Sequence, residues 1–236
     1  MPEASAGRVA VVTGGTGALG RQLVRTLLER GFRVHVPWLV EREARELEEM
    51  LGGPRPDLLL APVDLGDAEA LDAFFAGVWK REGRLDALCA LVGGFVAAAV
   101  DETGPDDWQR MLQLNATSAF LSCRAAVPLL RDMGGGSIVM VASLPAVEGG
   151  GQGMSAYAAA KAAVVSLTGA LARELRVDHV RVNAIAPEIL DTPANRASMP
   201  ADTPFLDPAA AAAVVAFLVG DEGEPVTGSV LKLMKS

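Results

Sequence analysis

The strongest constraint on the fold is that short apolar runs alternate with longer helical patterns along the sequence. Seven runs of strand length are found, at 9–12, 33–36, 58–63, 87–92, 137–141, 180–185 and 229–234. Helical patterns separate them, at 19–29, 41–51, 68–81, 106–131, 157–174 and 208–219. Strands that alternate with helices in this way build a parallel sheet with both faces covered. We therefore predict an α/β fold, a doubly wound seven-stranded parallel sheet.

Length and composition narrow the class of protein further. The 236 residues, half of them hydrophobic, suffice for one core, and we expect a single domain over 1–236. A net charge of −8 argues against non-specific nucleic-acid binding. The two cysteines lie in apolar runs, the first residues show no apolar signal segment, and the uncharged run 87–100 is shorter than the ~18 residues of a membrane span. We expect a cytoplasmic protein without membrane contact.

A glycine-rich turn follows the first predicted strand and opens the first predicted helix. It reads TGGTGALG from Thr13 to Gly20. Backbone N–H groups at a helix N-terminus bind a pyrophosphate, and a Cβ at such a turn would hold the phosphate away. The spacing Gly15–Gly20 also occurs in phosphate-binding NTPase loops, but Arg21 and Gln22 stand where those loops need lysine and a hydroxyl. The turn therefore predicts a dinucleotide site formed by Gly14, Gly15, Thr16, Gly17, Ala18, Leu19 and Gly20.

The only tyrosine in the chain, Tyr157, has a lysine, Lys161, four residues after it. Residues at i and i+4 share one face of a helix, so the ammonium is expected beside the phenol, where it would lower the tyrosine pKa toward neutrality. Such a phenol can donate or accept a proton near physiological pH. Ser143 follows the fifth predicted strand, where its hydroxyl could hold a substrate oxygen, and Asn115 lies within the predicted helix 106–131.

Together these residues resemble the short-chain dehydrogenase/reductase family over essentially the whole chain. The resemblance is carried by TGGTGALG, Asp64 in VDL, Asn115, Ser143, YAAAK, and RVNAIAP leading to Thr192. It implies a Rossmann-like fold with strand order 3-2-1-4-5-6-7 and a homotetramer or homodimer packed through the helices at 106–131 and 157–174. The implied activity is NAD(P)-dependent hydride transfer between nicotinamide and a small carbonyl or alcohol substrate.

The resemblance also implies a role for each site residue. Tyr157 is the catalytic acid/base, Lys161 lowers its pKa and binds the nicotinamide ribose, Ser143 orients the substrate carbonyl, and Asn115 holds a water in a proton relay. Asp64 meets the adenine ring, while Thr192 and the Ile189 backbone meet the nicotinamide carboxamide. The remaining implied cofactor contacts are Trp38, Leu65, Val92, Gly93 and Pro187. A short substrate loop is expected near 191–208.

The sequence departs from the family pattern at four places. Ala18 stands where a glycine is commoner, Glu188 follows Pro187 in place of glycine, and the usual Asn-Asn-Ala-Gly after the fourth strand reads Ala-Leu-Val-Gly at 90–93. The second strand ends at Trp38 in place of the carboxylate that selects NAD, and Glu41 and Arg42 beyond it have opposite charges. The choice between NAD and NADP stays open at this point.

Three alternatives remain beside this leading hypothesis. The segments AxVGGF and LDTPANRASMP resemble dihydropteridine reductases, which reduce a quinonoid dihydropterin, although those enzymes lack a serine at the position of Ser143. A dinucleotide-binding sensor without turnover is a second possibility. A hydrolase built on Ser143 is disfavoured because no GxSxG turn is present and the histidines are only His35 and His179. With so few histidines and cysteines, no metal site is expected.

Overall fold

The computed structural model describes residues 7–235 and contains one seven-stranded sheet. All strand pairs are parallel, and the order is β3-β2-β1-β4-β5-β6-β7, as expected from the family resemblance. The strands are β1 (Val9–Thr13), β2 (Arg33–Trp38), β3 (Leu58–Pro62), β4 (Ala87–Ala90), β5 (Gly136–Val141), β6 (Val180–Pro187) and β7 (Val230–Leu233). The predicted doubly wound fold is confirmed.

Nine α-helices lie between and around these strands within the described residues. They are α1 (Ala18–Glu29), α2 (Glu41–Met50), α3 (Ala68–Glu82), α4 (Pro105–Leu112), α5 (Ser118–Asp132), α6 (Leu144–Glu148), α7 (Ser155–Glu174), α8 (Pro193–Ser198) and α9 (Pro208–Val219). Apart from the predicted helix 106–131, the long helices agree with the predicted ones to within a few residues, whereas α6 and α8 were not expected.

The sheet separates two hydrophobic cores, one on each face. Along β1, Val9 and Val11 belong to the core on one face, and Ala10 and Val12 belong to the core on the other. The first core receives buried side chains from α3, α5 and α7, and the second receives them from α1 and α9. Because both faces are covered, β1 from Val9 to Val12 and the whole of β4 are apolar at every position, which is why these strands show continuous hydrophobic runs.

Chain direction gathers the functional segments at one edge of the sheet. The strand order reverses between β1 and β4, which pair from Ala10↔Ala87 to Thr13↔Ala90. In open parallel sheets the ligand crevice lies outside the carboxyl ends of the strands at this reversal. The glycine turn follows β1, Trp38 ends β2, and Ser143 follows β5, so all three lie at that edge.

The predicted helix 106–131 is not continuous. A π-helical turn, Gln113–Thr117, separates α4 from α5. The Asn115 side chain competes with backbone N–H groups of the helix for the Met111 carbonyl oxygen, because its Nδ2 donates to that oxygen at 3.0 Å. Single π turns inside helices are frequent at functional sites. The prediction of one unbroken helix over 106–131 was therefore wrong at Asn115, the candidate site residue within it.

The helical stretch Ser155–Asp178 is long and apolar enough to span a membrane by length and composition alone. It runs against the sheet, and its inward side places Val164, Ala172 and Leu175 in the core. Core helices of α/β proteins share this composition because one of their sides is buried. The expectation of no membrane contact stays a prediction.

Close packing at the glycine turn generates a test of the fold. A Cβ added to Gly20 would overlap the Gly14 carbonyl oxygen, whereas a Cβ added to Gly77 in α3 meets nothing within 4 Å. We expect Gly20→Ala to lower the free energy of unfolding by roughly 1–3 kcal/mol or more. Gly77→Ala should raise it by about 0.5–1 kcal/mol, because alanine loses less backbone entropy in a helix. Urea unfolding of both variants measures the difference, and equal stabilities would contradict this packing.

Candidate active site

Lys161 lies on the side of α7 that faces the sheet. Its side chain is almost fully buried, at 3% exposure, and its Nζ donates a hydrogen bond to the Val141 carbonyl oxygen at the end of β5, 2.7 Å away. Burial disfavours the charged form and lowers the pKa of the Lys161 ammonium to about 8. The group therefore remains mostly protonated at pH 7, as a cation held at the carboxyl edge of the sheet.

Asn115 and Lys161 converge beside Gly93. The Asn115 amide is fully buried; it donates to the Gly94 carbonyl oxygen at 3.0 Å and accepts from the Gly94 N–H at 3.1 Å. A Cβ on Gly93 would lie 2.8 Å from both the Asn115 Oδ1 and the Lys161 Nζ. No side chain fits there, so glycine is required after β4 even though the usual asparagines of this segment are absent.

Tyr157 lies one helical turn before Lys161, on the same helix. Its ring contacts Phe95 edge to face, with centroids 4.9 Å apart and an interplanar angle of 88°. Burial raises the pKa of the Tyr157 phenol above its ordinary value, and the nearby Ser143 hydroxyl only partly offsets this shift. In the chain by itself the pKa of the phenol therefore does not fall toward neutrality as expected, because loss of solvation outweighs the hydrogen bond with Ser143.

Ser143 is the residue before α6, two positions after the end of β5, and its Oγ is buried with no partner at ordinary hydrogen-bond distance among the described residues. An unpaired buried hydroxyl is costly, by roughly 1–3 kcal/mol, and natural proteins rarely keep one without a use. The hydroxyl lies close enough to Tyr157 to influence the phenol. These two groups can therefore share one oxygen atom of a bound molecule.

A cleft of about 320 Å³ opens at the same edge of the sheet, between the ends of β1, β2 and β3. It brings together many of the predicted cofactor residues, which come from four separate segments of the chain. Those that line it are Gly14, Thr16, Gly17, Trp38, Asp64, Leu65, Val92 and Gly93. Gly17 is the exposed glycine of the turn, and a Cβ on it would meet only the Gly14 carbonyl oxygen, at 3.4 Å. The turn therefore leaves room for a phosphate above the N-terminus of α1.

Four predicted cofactor residues of the glycine turn do not line the cleft, namely Gly15, Ala18, Leu19 and Gly20. Gly14 adopts φ +71°, a conformation that glycine allows. A Cβ on Gly15 would lie 2.7 Å from the Val36 side chain of β2. Leu19 is buried in the core, whereas Ala18 is exposed at the start of α1. The alanine that replaces the commoner glycine is thus accommodated at the surface.

The predicted nicotinamide contacts lie beyond the cleft, around the end of β6. Pro187 ends β6, and the Ile189 carbonyl oxygen accepts a hydrogen bond from the Leu206 N–H at 2.8 Å. Thr192 caps α8, since its Oγ1 accepts from the Asn195 N–H at 3.1 Å. A bridge between Leu190 and Leu206 closes the base of the predicted substrate loop. Asp64 also has a local role, because its Oδ1 accepts from the Gly66 N–H at 2.8 Å.

Several residues that the sequence did not single out also line the cleft. They are Pro37, Leu39, Val40, Glu43, Val63, Gly66, Leu91, Gln113, Leu114 and Ser118. The rule that ligands bind outside the carboxyl ends of parallel strands could have identified Pro37, Leu39 and Leu91, which adjoin predicted strand ends. No sequence signal indicates Glu43, or Gln113 and Leu114, which reach the cleft through α2 and the π-helical turn.

Comparison with known proteins decides the family. The model of the family described as short chain dehydrogenase matches residues 8–202. The chain belongs to this family. It is 32% identical to a trans-4-hydroxycyclohexanecarboxylate dehydrogenase of Sinomonas cyclohexanicum over 79% of this chain and 73% of that protein. It is 31% identical to a short-chain dehydrogenase/reductase of Pyricularia oryzae over 95% of this chain and 90% of that protein.

A solved structure agrees with the same assignment. The crystal structure of the 3-ketoacyl-(acyl-carrier-protein) reductase from Brucella melitensis, complexed with NADH, matches with a TM-score of 0.87 and 25% identity, covering 97% of each chain. This short-chain dehydrogenase is thus an NAD(P)-dependent oxidoreductase, and the open Gly17 position and the unpaired Ser143 hydroxyl fit a nicotinamide dinucleotide and a substrate oxygen.

Neither histidine can complete a hydrolytic triad with Ser143 in this dehydrogenase. His35 lies within β2, and its Nε2 is 3.0 Å from Glu82 Oε1, in a buried pair also joined by Arg33. His179 precedes β6, at the edge of the sheet opposite Ser143. The hydrolase alternative therefore lacks its base.

The buried ammonium gives the short-chain dehydrogenase a characteristic pH dependence of stability. The pKa of Lys161 is about 8 in the folded chain against an ordinary value of 10.5, so between these pH values the unfolded chain binds more protons. Stability must then rise with pH across this window. Relative to Lys161→Met, we expect the wild type to gain roughly 2–3 kcal/mol of unfolding free energy between pH 7 and 10.

Urea unfolding of both proteins without cofactor, at intervals between pH 7 and 10, measures this gain. Lys232→Met is the matched control, because Lys232 lies on the surface and pairs with Glu148. It should follow the wild type at every pH. A constant difference between wild type and Lys161→Met would show that the lysine is not a buried cation.

Proposed function

We propose that the protein transfers hydride between a nicotinamide dinucleotide and a small carbonyl or alcohol substrate, with Tyr157 as the acid/base. The observation that supports this most directly is the buried, unpaired Ser143 hydroxyl next to the Tyr157 phenol. Two neighbouring donors suit a carbonyl oxygen on which negative charge develops. A bound nicotinamide dinucleotide supplies the hydride for reduction and accepts it in oxidation.

In the reduction direction, the residues of this chain provide positioning and the proton. Ser143 donates a hydrogen bond to the substrate oxygen, and Tyr157 transfers its phenolic proton to that oxygen. The phenolate that remains is stabilised by the Lys161 cation one turn away and regains its proton from solvent. Asn115 Oδ1 lies beside the Lys161 Nζ at Gly93, where a water could connect both groups to solvent. Oxidation of an alcohol uses the same groups in reverse.

The same proposal assigns the cofactor contacts. Gly14, Thr16, Gly17, Trp38, Asp64, Leu65, Val92 and Gly93 would hold the adenosine and pyrophosphate, because they line the cleft. Pro187, Ile189 and Thr192, together with Tyr157 and Lys161, would surround the nicotinamide. Residues 191–208 would cover the substrate, within a single domain.

A carbonyl or alcohol substrate is favoured over a quinonoid dihydropterin. The Ser143 hydroxyl is present and has no partner at ordinary hydrogen-bond distance among the described residues, whereas the dihydropteridine reductases that part of the sequence resembles lack this serine. A sensor without turnover would not need a buried serine hydroxyl next to a phenol. Both alternatives remain as outcomes of the activity test, and a cytoplasmic location remains a prediction.

Substitution of Tyr157 by phenylalanine tests the acid/base role. Removal of the phenolic proton should lower kcat by roughly 10²–10⁴-fold, the contribution typical of general acid catalysis. The Kd for NADH should change little, because the ring is kept. Reduced-nicotinamide absorbance can be followed with a panel of neutral ketones such as cyclohexanone, with quinonoid dihydropterin beside them.

Ser143→Ala should also slow turnover, and Ser155→Ala is its control, because Ser155 is an exposed serine at the start of α7. Tyr157→Phe at the wild-type rate would refute the acid/base role. Wild-type protein that binds NADH and turns over no substrate of the panel would favour the sensor.

We also propose that the protein forms a homodimer or homotetramer through α5 and α7. Phe120 on α5 is 48% exposed, and Ala162, Ala163 and Ala170 on α7 are exposed. Small exposed side chains let two helices approach closely, and an exposed aromatic ring gains by burial in such a contact. Ala125, Ala126 and Ala160 are buried within the chain itself and are not available for such contacts.

Phe120→Arg should therefore reduce the mass of the assembly in sedimentation, because a charge would be placed in the proposed contact. Phe217→Arg is the matched control, since Phe217 is a similarly exposed phenylalanine on α9. An unchanged mass for Phe120→Arg, or an equal effect of both substitutions, would rule out this interface.

A further inference from the structure

The cleft that would hold the adenosine half of the cofactor is lined by acidic and uncharged residues. Glu43 and Asp64 are the charged side chains among the described residues that line it, and no lysine or arginine is among them. At pH 7 the two carboxylates give the cleft a formal charge of −2. An additional phosphate group would therefore enter a negative field.

The Glu43 carboxylate is held in place by the glycine turn. Thr16 is buried, and its Oγ1 donates a hydrogen bond to Glu43 Oε2 at 3.0 Å. Arg21 fixes the same region, since its Nε donates to the Thr16 carbonyl oxygen at 2.6 Å and its Nη2 to Glu46 at 2.7 Å. The carboxylate also lies in the first turn of α2, where the helix dipole favours negative charge.

The arginine nearest in sequence to Trp38 is directed elsewhere. The Arg42 side chain is 78% exposed, its Nη1 lies 3.4 Å from Glu46 Oε1, and it is not among the residues that line the cleft. Arg21 is occupied by Thr16 and Glu46. Glu41 and Arg42, the oppositely charged residues that follow the second strand, therefore do not compete for the cofactor, because neither lines the cleft. Of the charged residues in this segment, only Glu43 lines it.

We propose that Glu43, positioned by Thr16, makes this oxidoreductase prefer NAD over NADP. The inference rests on the proposed function. The carboxylate can accept hydrogen bonds from ribose hydroxyls, and it repels a 2′-phosphate that carries a charge between −1 and −2. Trp38 occupies the position at the end of β2 where a carboxylate more often does this. Here the carboxylate comes from five residues later, on a helix instead of a strand.

Dissociation constants for NADH and NADPH, measured by titration calorimetry, test the proposal without any substrate. The wild type should bind NADH at least about tenfold more tightly than NADPH, and Glu43→Gln should reduce that ratio by about tenfold. The matched control is Glu41→Gln, which removes the same charge from the same helical turn. Glu41 does not line the cleft and pairs with Arg45, so this variant should keep the wild-type ratio.

Two further measurements separate a local role of Glu43 from a structural one. Thr16→Val removes the hydrogen bond to the carboxylate and should also reduce the ratio, by less than Glu43→Gln. Higher salt should improve NADPH binding to the wild type more than to Glu43→Gln, because salt screens the repulsion. Thermal unfolding of each variant confirms that the fold is retained.

The outcomes distinguish this inference from the proposed function. A wild type that prefers NADPH, or a ratio that Glu43→Gln leaves unchanged, overturns the role of Glu43 while the dehydrogenase activity stands. Protein that binds neither dinucleotide overturns both.

Discussion

A lysine ammonium buried against the end of a strand is the constraint on which the rest of the site depends. Removal of a charge from water is costly, and the Val141 carbonyl oxygen offsets part of that cost through a hydrogen bond of 2.7 Å. The ammonium also needs space, which is why Gly93 carries no side chain. Asn115, next to the same space, is held by both backbone groups of Gly94. The cation, the glycine and the amide therefore form one packed unit.

The protonation states follow from the same burial. Loss of solvation lowers the pKa of Lys161 and raises that of Tyr157, since in both cases the charged form is penalised. At neutral pH the phenol keeps its proton and the lysine is mostly charged. With these protonation states, the Tyr157 phenol can donate its proton to a substrate oxygen while Lys161 remains a cation. The Ser143 hydroxyl, unpaired among the described residues, is the third member of this arrangement.

The two parts of the candidate site are specified by different kinds of interaction. At the catalytic end, hydrogen bonds between side chain and backbone fix Asn115 and Lys161 within the hydrophobic interior. At the adenosine end, a hydrogen bond between two side chains, Thr16 and Glu43, connects the glycine turn to α2. Both arrangements depend on parallel strands that end at the same edge, which brings distant segments together.

The sequence by itself determined the seven strands, the long helices apart from the break at 113–117, and the placement of Tyr157 and Lys161 on one helix. It could do so because hydrophobic periodicity reports which side of an element is buried, and spacing within a helix is local. Only the tertiary structure decided the π-helical turn at Asn115, the partner of Lys161, the direction of the Tyr157 pKa and the place of Glu43 in the cleft. These depend on solvation and on contacts between segments far apart in the chain, and no local pattern encodes them.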